Sequence, residues 1–254
     1  FSHFHSFMFQ SRHKNITHIA RSCHKENHSK SKRSNTNTTL EHQRSNTGTS
    51  TDITHSLLVG DWTLASIPEA LCVGDTAGSC KWWANNADDL TERDCLFDDI
   101  FRFNSDGSFE NILQDLTWLD FQDIYYSNCS APESPFDNSG NFGWEVDVDS
   151  SEVVLTGRGS YLGLPKVTHS GELAHPSDAL DSVRYKIARA AKYVCPSTGE
   201  GKSMTLQVNY ATDAWWQFVF RGGDCVVGCM TSTANNYDSN AVIDDGSCVY
   251  SSCT

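Results

Sequence analysis

Residues 95–118 read CLFDDIFRFNSDGSFENILQDLTW, and this stretch decides the fold. Phe97, Ile100, Phe101 and Phe103 lead into Asn104-Ser105-Asp106-Gly107, and Phe109, Ile112 and Leu113 follow. An aromatic run, a four-residue Asn/Asp/Gly turn and a second apolar run predict a β-hairpin. Asp106-Gly107 supplies backbone that reaches positive φ, and Asn104 can bond its own turn. Phe101, Phe103 and, across the turn, Phe109 place one face against a core.

The same grammar recurs on both sides. LLVGDWTLAS, from Leu57, reads as a strand with Trp62 inward. A cysteine-bearing loop, Leu71 to Cys95, contains Trp82-Trp83, and LTWLDF continues the hairpin. Residues 127–140 are a loop by composition. Phe142, Trp144, Val146 and Val148 alternate with Gly143, Glu145, Asp147 and Asp149, the pattern of a half-buried strand. Asp149-Ser150-Ser151 turns the chain, Val153-Val154-Leu155 returns it, and Ser160 to Leu164 is another extended piece. Val183, Tyr185 and Ile187 alternate, as do Met204, Leu206 and Val208, and a last strand runs from Ala214 to Arg221. Short strands, hairpin-like connections and no long amphipathic helix predict an all-β chain. The expected architecture is an antiparallel barrel or β-sandwich meander.

Charge divides the chain. Residues 1–55 hold eight Lys/Arg, three acids and eight of the ten histidines; the remainder holds 11 Lys/Arg against 29 Asp/Glu. The leader is rich in Ser, Thr, Asn, His, Lys and Arg. It has too few large apolar groups to offset the entropy of ordering, so it is predicted disordered. The expected divisions are a basic leader over 1–55, a β module over 56–222 and a Cys/Asp-rich segment over 223–254. The acidic body argues against nucleic acid as a partner. No run of 18 apolar residues exists, so no membrane span is expected. The opening FSHFHSFMFQ lacks the charged start and apolar centre of an export signal, and the sequence is read as a fragment without one.

Ten cysteines, with no CxxC and no zinc-finger spacing, predict disulfides in an oxidising compartment, outside the cell or at its surface. Gly60-Asp61-Trp62 ahead of a meander resembles the Gly-x-Trp start of lipocalin-like barrels. Residues 228–253 read GCMTSTANNYDSNAVIDDGSCVYSSC and resemble a short Cys/Asp repeat of secreted and surface proteins of marine bacteria, likened to thrombospondin type 3 repeats. Gly228-Cys229, Ala234, Asn236-Tyr237, Ala241 and Asp244 to Cys248 carry the likeness; Asn235 stands where that family has cysteine. About 25 residues cannot build a core, so staples must replace it. A Cys229–Cys248 bond would close that loop. Asp238, Asn240, Asp244 and Asp245 are hard oxygen donors in eight residues, a density that suits Ca²⁺.

The body resembles a module repeated in secreted flavobacterial proteins, some of which carry laminarinase-type glycoside hydrolase domains. Cys80 to Trp83, Cys95 to Asp99, Phe103 to Gly107, Thr117 to Leu119, Tyr161 to Lys166, Gly171 to Leu173 and Trp215-Trp216 carry this likeness. It implies a Cys95–Cys129 bond and an extracellular setting, and it names no activity.

Three functions follow as expectations. The first is a non-catalytic extracellular module that binds polysaccharide or other surface proteins, with Trp82, Trp83, Trp118, Trp215 and Trp216 as candidate ligand contacts. The second is an accessory domain of a glycoside hydrolase, or a weak hydrolase. Alternation sets Glu145, Asp147 and Asp149 on one strand face, so Glu145 and Asp147 are the weak catalytic candidates. The third is a lipocalin-type carrier of a small ligand. His169, Glu172 and His175 share one loop but lack a third partner for metal or acid–base work.

Overall fold

In a computed structural model of the chain, the described residues are 55–121, 128–195, 199–223, 225, 227–235, 237–238, 241, 243–244 and 248–250. The leader expected to be disordered lies outside them, apart from His55, which opens a helical turn over His55–Leu58.

Eight antiparallel strands form a closed barrel. They are β1 (Gly60–Leu64), β2 (Ile100–Phe103), β3 (Ser108–Ile112), β4 (Phe142–Asp147), β5 (Glu152–Thr156), β6 (Ser182–Cys195), β7 (Gly199–Ala211) and β8 (Ala214–Gly222). Each pairs with the next in sequence, and β8 returns to β1 through Thr63↔Arg221 and Leu64↔Phe220. The topology is an up-and-down meander that leaves the barrel no open edge. β8 is long enough to serve two partners on one side. Ala65 N donates to Val219 O at 2.8 Å and Val219 N donates to Ala70 O at 2.7 Å, bridging the end of β1 to a second ribbon. That ribbon, Leu71–Gly74 paired with Trp83–Ala84, adds to the first half of β8.

The β2–β3 hairpin forms where its sequence places it, with Phe103↔Phe109 and Ile100↔Ile112 in register. Gly107 takes φ 86°, and Ser108 N donates to Asp106 Oδ1 at 2.9 Å. Two details differ from expectation. Asp94–Phe97 is a helical turn, so the strand begins at Ile100. Thr117–Leu119 leaves the barrel and pairs with Asn128–Ser130.

Alternation fills the interior. Trp62, Phe101, Phe103, Tyr185, Phe218 and Phe220 are fully buried. Phe101 meets Phe220 edge-on at 5.5 Å, and Phe103 meets Phe109 and Trp144 edge-on at 5.1 and 5.0 Å, the arrangement favoured by ring quadrupoles. Ser160–Leu164, expected as a strand, is instead part of a loop whose residues 159–168 are all buried. Gly157, Gly159 and Gly163 all have positive φ, which prevents an extended run. The loop packs among the strands: Asn111 Nδ2 donates to Tyr161 O at 2.9 Å, and Leu162 N donates to the Tyr185 hydroxyl oxygen at 3.0 Å. A Cβ on Gly163 would lie 2.5 Å from the Phe218 ring.

Disulfides join Cys72 to Cys80, Cys95 to Cys129 and Cys229 to Cys248, and Cys225 is also disulfide-bonded. In the C-terminal segment, Val227–Gly228 pairs in parallel with Ile243–Asp244, and Cys229 bridges to Tyr237. Among the described residues no helix is long and apolar enough to cross a membrane.

Candidate functional site

The candidate tryptophans separate onto two surfaces. In β8 the burial alternates strictly from Ala214 to Gly222, so Trp216 faces in and Trp215 faces out. Trp216 is buried, stacks near Phe218 and donates its indole N–H to Glu172 Oε1 at 2.6 Å. Trp83 lies opposite Val73, as does Trp216, and the two rings meet edge-on at 6.2 Å. Trp118 is buried under Arg93, whose guanidinium carbon sits 4.6 Å from its ring and 4.9 Å from that of Trp83. Trp118 and Trp216, both candidate ligand contacts, are thus buried with their rings packed against neighbours, while Trp215 and Trp82 are turned outward.

These rings surround an ionic cluster. Lys166 Nζ lies 3.0 Å from Asp120 Oδ2, 3.9 Å from Glu172 Oε2 and 5.6 Å from the Trp216 ring centre. Arg93, Asp120 and Lys166 are all buried. Burial pushes the Asp120 carboxyl above the usual carboxylate range, against the pull of Lys166. Such a cluster fixes geometry more than it adds stability. It gathers Arg93, which caps the helix Ala87–Glu92, with the Asp120 segment and the 166–172 hairpin over Trp83, Trp118 and Trp216.

Asp99 is a second buried acid. Thr117 Oγ1 donates to Asp99 Oδ2 at 2.6 Å, and burial raises the Asp99 pKa to about 7. The Tyr161 phenol lies nearby, and burial followed by the Asp99 charge holds its ionisation well above the ordinary value.

The outward surface of β7 and β8 differs in character. Ser203, Thr205, Gln207 and Asn209 alternate on β7 with buried Met204, Leu206 and Val208. Their registered neighbours on β8 are Arg221, Val219, Gln217 and Trp215. Gln207 Nε2 donates to Gln217 Oε1 at 3.0 Å. Gly74 pairs with Trp215, and its outward position is filled by Ser79, whose oxygen would lie 2.0 Å from a Cβ there. Trp82, held by its N–H to Val73 O at 3.0 Å, is 53% exposed beyond that loop. Lys81 and Asp75 pair beside it at 2.5 Å. A wall of hydroxyls and amides, flanked by Trp82 and Trp215, is the arrangement that offers hydrogen bonds to a polar ligand and a flat apolar face to its rings.

Farther along the same wall, Arg189, Tyr193, Val194, Ser203, Thr205, Val219 and Arg221 line a groove of about 500 Å³. These residues were not singled out from the sequence. Their signal was there, in Arg184, Lys186, Arg189 and Lys192, a basic strand within an acidic body. A bulge between Ile187 and Arg189 turns Arg189 outward, a register change that alternation alone does not reveal.

The catalytic candidates sit on β4 and its turn. Glu145 is exposed, and Asp147 Oδ1 accepts the Ser150 N–H at 3.2 Å. That bond holds the Asp147 carboxyl below the usual carboxylate range, giving it a turn-forming role. His175 Nδ1 accepts the Ser177 N–H at 3.2 Å as a helix cap, and Glu172 belongs to the ionic cluster, so this loop's histidines and acid do not converge. Of the calcium candidates, Asn240 and Asp245 lie outside the described residues. Asp244 is placed by its backbone in the parallel ribbon, and Asp238 N donates to Cys229 O at 3.0 Å. No protein-family model matches the chain, and no curated protein matches it.

Proposed function

We propose that this protein is a non-catalytic extracellular or cell-surface module that binds polysaccharide along the outer wall of β7 and β8. The observation that carries the reading is the composition of that wall. Four hydrogen-bonding side chains on β7 face out in sequence, beside Trp215 and near exposed Trp82. Sugars present alternating hydroxyl edges and apolar ring faces, and this surface matches both. The disulfides fit an oxidising compartment.

The competing readings find less support. A carrier of lipocalin type needs interior space, whereas here the Trp62, Phe101, Phe103, Phe218 and Phe220 side chains and residues 159–168 fill the barrel. A retaining hydrolase needs two carboxyls free to flank the scissile bond, whereas Asp147 Oδ1 is engaged by the Ser150 N–H of its own turn. The C-terminal segment is proposed as a calcium-binding repeat, on Asp238, Asn240, Asp244 and Asp245.

Binding to a panel of soluble polysaccharides, read by affinity electrophoresis, tests the main reading. Trp82→Ala and Trp215→Ala should each lower affinity about tenfold with an unchanged melting temperature. Equal retardation of wild type and both variants, or retardation by no glycan, contradicts it.

A further inference from the structure

The wall also carries charge that its surroundings leave uncompensated. In the body, acids outnumber Lys/Arg by 29 to 11. Lys81, Arg93, Arg102, Lys166, Arg184 and Lys192 each have an acidic partner within 4 Å. Arg189 and Arg221 have none among the described residues, although both line the groove. Among the described residues, Arg221 Nη1 makes only a long bond to Phe220 O, at 3.4 Å, and its buried Nε has no hydrogen-bond partner. The buried Tyr193 hydroxyl likewise has none among the described residues. Burial, with a smaller contribution from the Arg189 charge, presses the Arg221 pKa down. Arg189 is in register with Thr205 and Arg221 with Ser203, so two like charges border one cleft.

Among the described residues, no acidic side chain lines that cleft. The closest charged pair along the strands, Lys192 with Glu200 at 2.6 Å, satisfies itself, and Lys202 is tied to Val59 O at 2.6 Å. An oxyanion in the cleft would pair with both guanidinium groups and accept from the Ser203 and Thr205 hydroxyls. The groove volume falls within the range of about 300–1,000 Å³ usual for small-ligand sites, well beyond a single inorganic anion.

We infer that the Arg189–Arg221 groove binds an oxyanion carried on a sugar, a sulfate ester or a uronate carboxylate of an acidic polysaccharide. Trp215, Gln217, Val219 and Arg221 form one outward row of β8, so a glycan chain on the Trp215 end reaches the groove about 20 Å away. The inference rests on the glycan reading only for the sugar that bears the anion.

Calorimetry on the full chain tests it, using a sulfated oligosaccharide, its desulfated form, an oligouronate and inorganic sulfate. The sulfated sugar or the oligouronate should bind at least about tenfold more tightly than both the desulfated sugar and inorganic sulfate, and that preference should shrink with added salt. Comparing the sulfated sugar with the oligouronate tells which anion is taken. Arg189→Gln and Arg221→Gln should each remove the preference. Thr205→Glu, which sets a carboxylate in register with Arg189, should abolish it while keeping or raising the melting temperature. Equal binding of anionic and neutral sugars, inorganic sulfate binding as tightly as the anionic sugars, or full affinity in Thr205→Glu overturns the inference. Loss of neutral-glycan binding in Trp82→Ala concerns the tryptophans alone, so the two claims fail separately.

Discussion

At the residue scale, Asp99 makes the sharpest prediction. Its folded pKa of about 7 lies above the ordinary carboxylate value of 3.8, because burial disfavours the charged form. Below about pH 4 the carboxyl is protonated in both states and costs nothing. Between pH 4 and 7 the unfolded chain releases the proton while the folded chain keeps it, so stability falls as pH rises and levels off above 7. The span corresponds to roughly 4 kcal/mol at most. Asp99→Asn keeps an acceptor for Thr117 and removes the titration. Denaturant titrations should show the variant gaining on wild type steadily from pH 4 to pH 7; parallel curves would refute the assignment. Nothing in FDDIF marks the second aspartate as the buried one. The sequence shows two adjacent acids, and only the barrel decides that Asp99 turns toward Thr117 and Tyr161. Trp82-Trp83 and Trp215-Trp216 are similar cases. Alternation says that the members of each pair face opposite ways, but which ring meets solvent depends on the ribbon that pairs with β8.

At the element scale, the hairpins were legible because turn chemistry and burial alternation agree. Asn104 to Gly107 and Asp147 to Ser151 each combine a side chain that bonds the turn with a residue at positive φ. Elements whose burial comes from tertiary contact were not legible. Residues 160–164 read as a short extended piece and become part of a buried loop because Gly157, Gly159 and Gly163 bend the segment. The 71–84 ribbon looks like a loop because its strands are too short to show a period. The Cys95–Cys129 disulfide anchors the ribbon of Thr117–Leu119 and Asn128–Ser130 to the helical turn at Asp94–Phe97. Replacing both cysteines with serine frees a loop 34 residues apart in sequence, worth about 3–4 kcal/mol of unfolded-state entropy. The double variant should melt lower by a corresponding amount while keeping its barrel circular dichroism. An unchanged midpoint would show that the ribbon is held by packing alone. In the C-terminal segment, calcium should raise the melting temperature of the wild type and not of Asp238→Ala combined with Asp244→Ala. A response unaffected by those changes would place the ion elsewhere.

At the scale of the whole molecule, composition announced an acidic, disulfide-bonded β protein, and closure of the meander into a barrel agrees with it. The proposed wall was less accessible, because alternation on β7 and β8 does not say which face turns outward, and Trp82 joins it from far along the chain. Ser203, Thr205, Gln207 and Asn209 are ordinary strand polars until β8 sets Trp215 and Arg221 beside them. The charge pattern follows the same logic. The β6–β8 segment, residues 182–222, holds Arg184, Lys186, Arg189, Lys192, Lys202 and Arg221 against only Glu200 and Asp213. A local positive field on a negative body steers an anionic chain to one face. The central claim is that this wall receives the glycan, and amide chemical-shift mapping during titration with the oligosaccharide bound most tightly tests it most directly. Shifts should concentrate at residues 203–209 and 215–221 and at Trp82, with Glu145 and Asp147 unmoved; a map centred on the Trp118 and Lys166 end, or on the Glu145 strand, would contradict it.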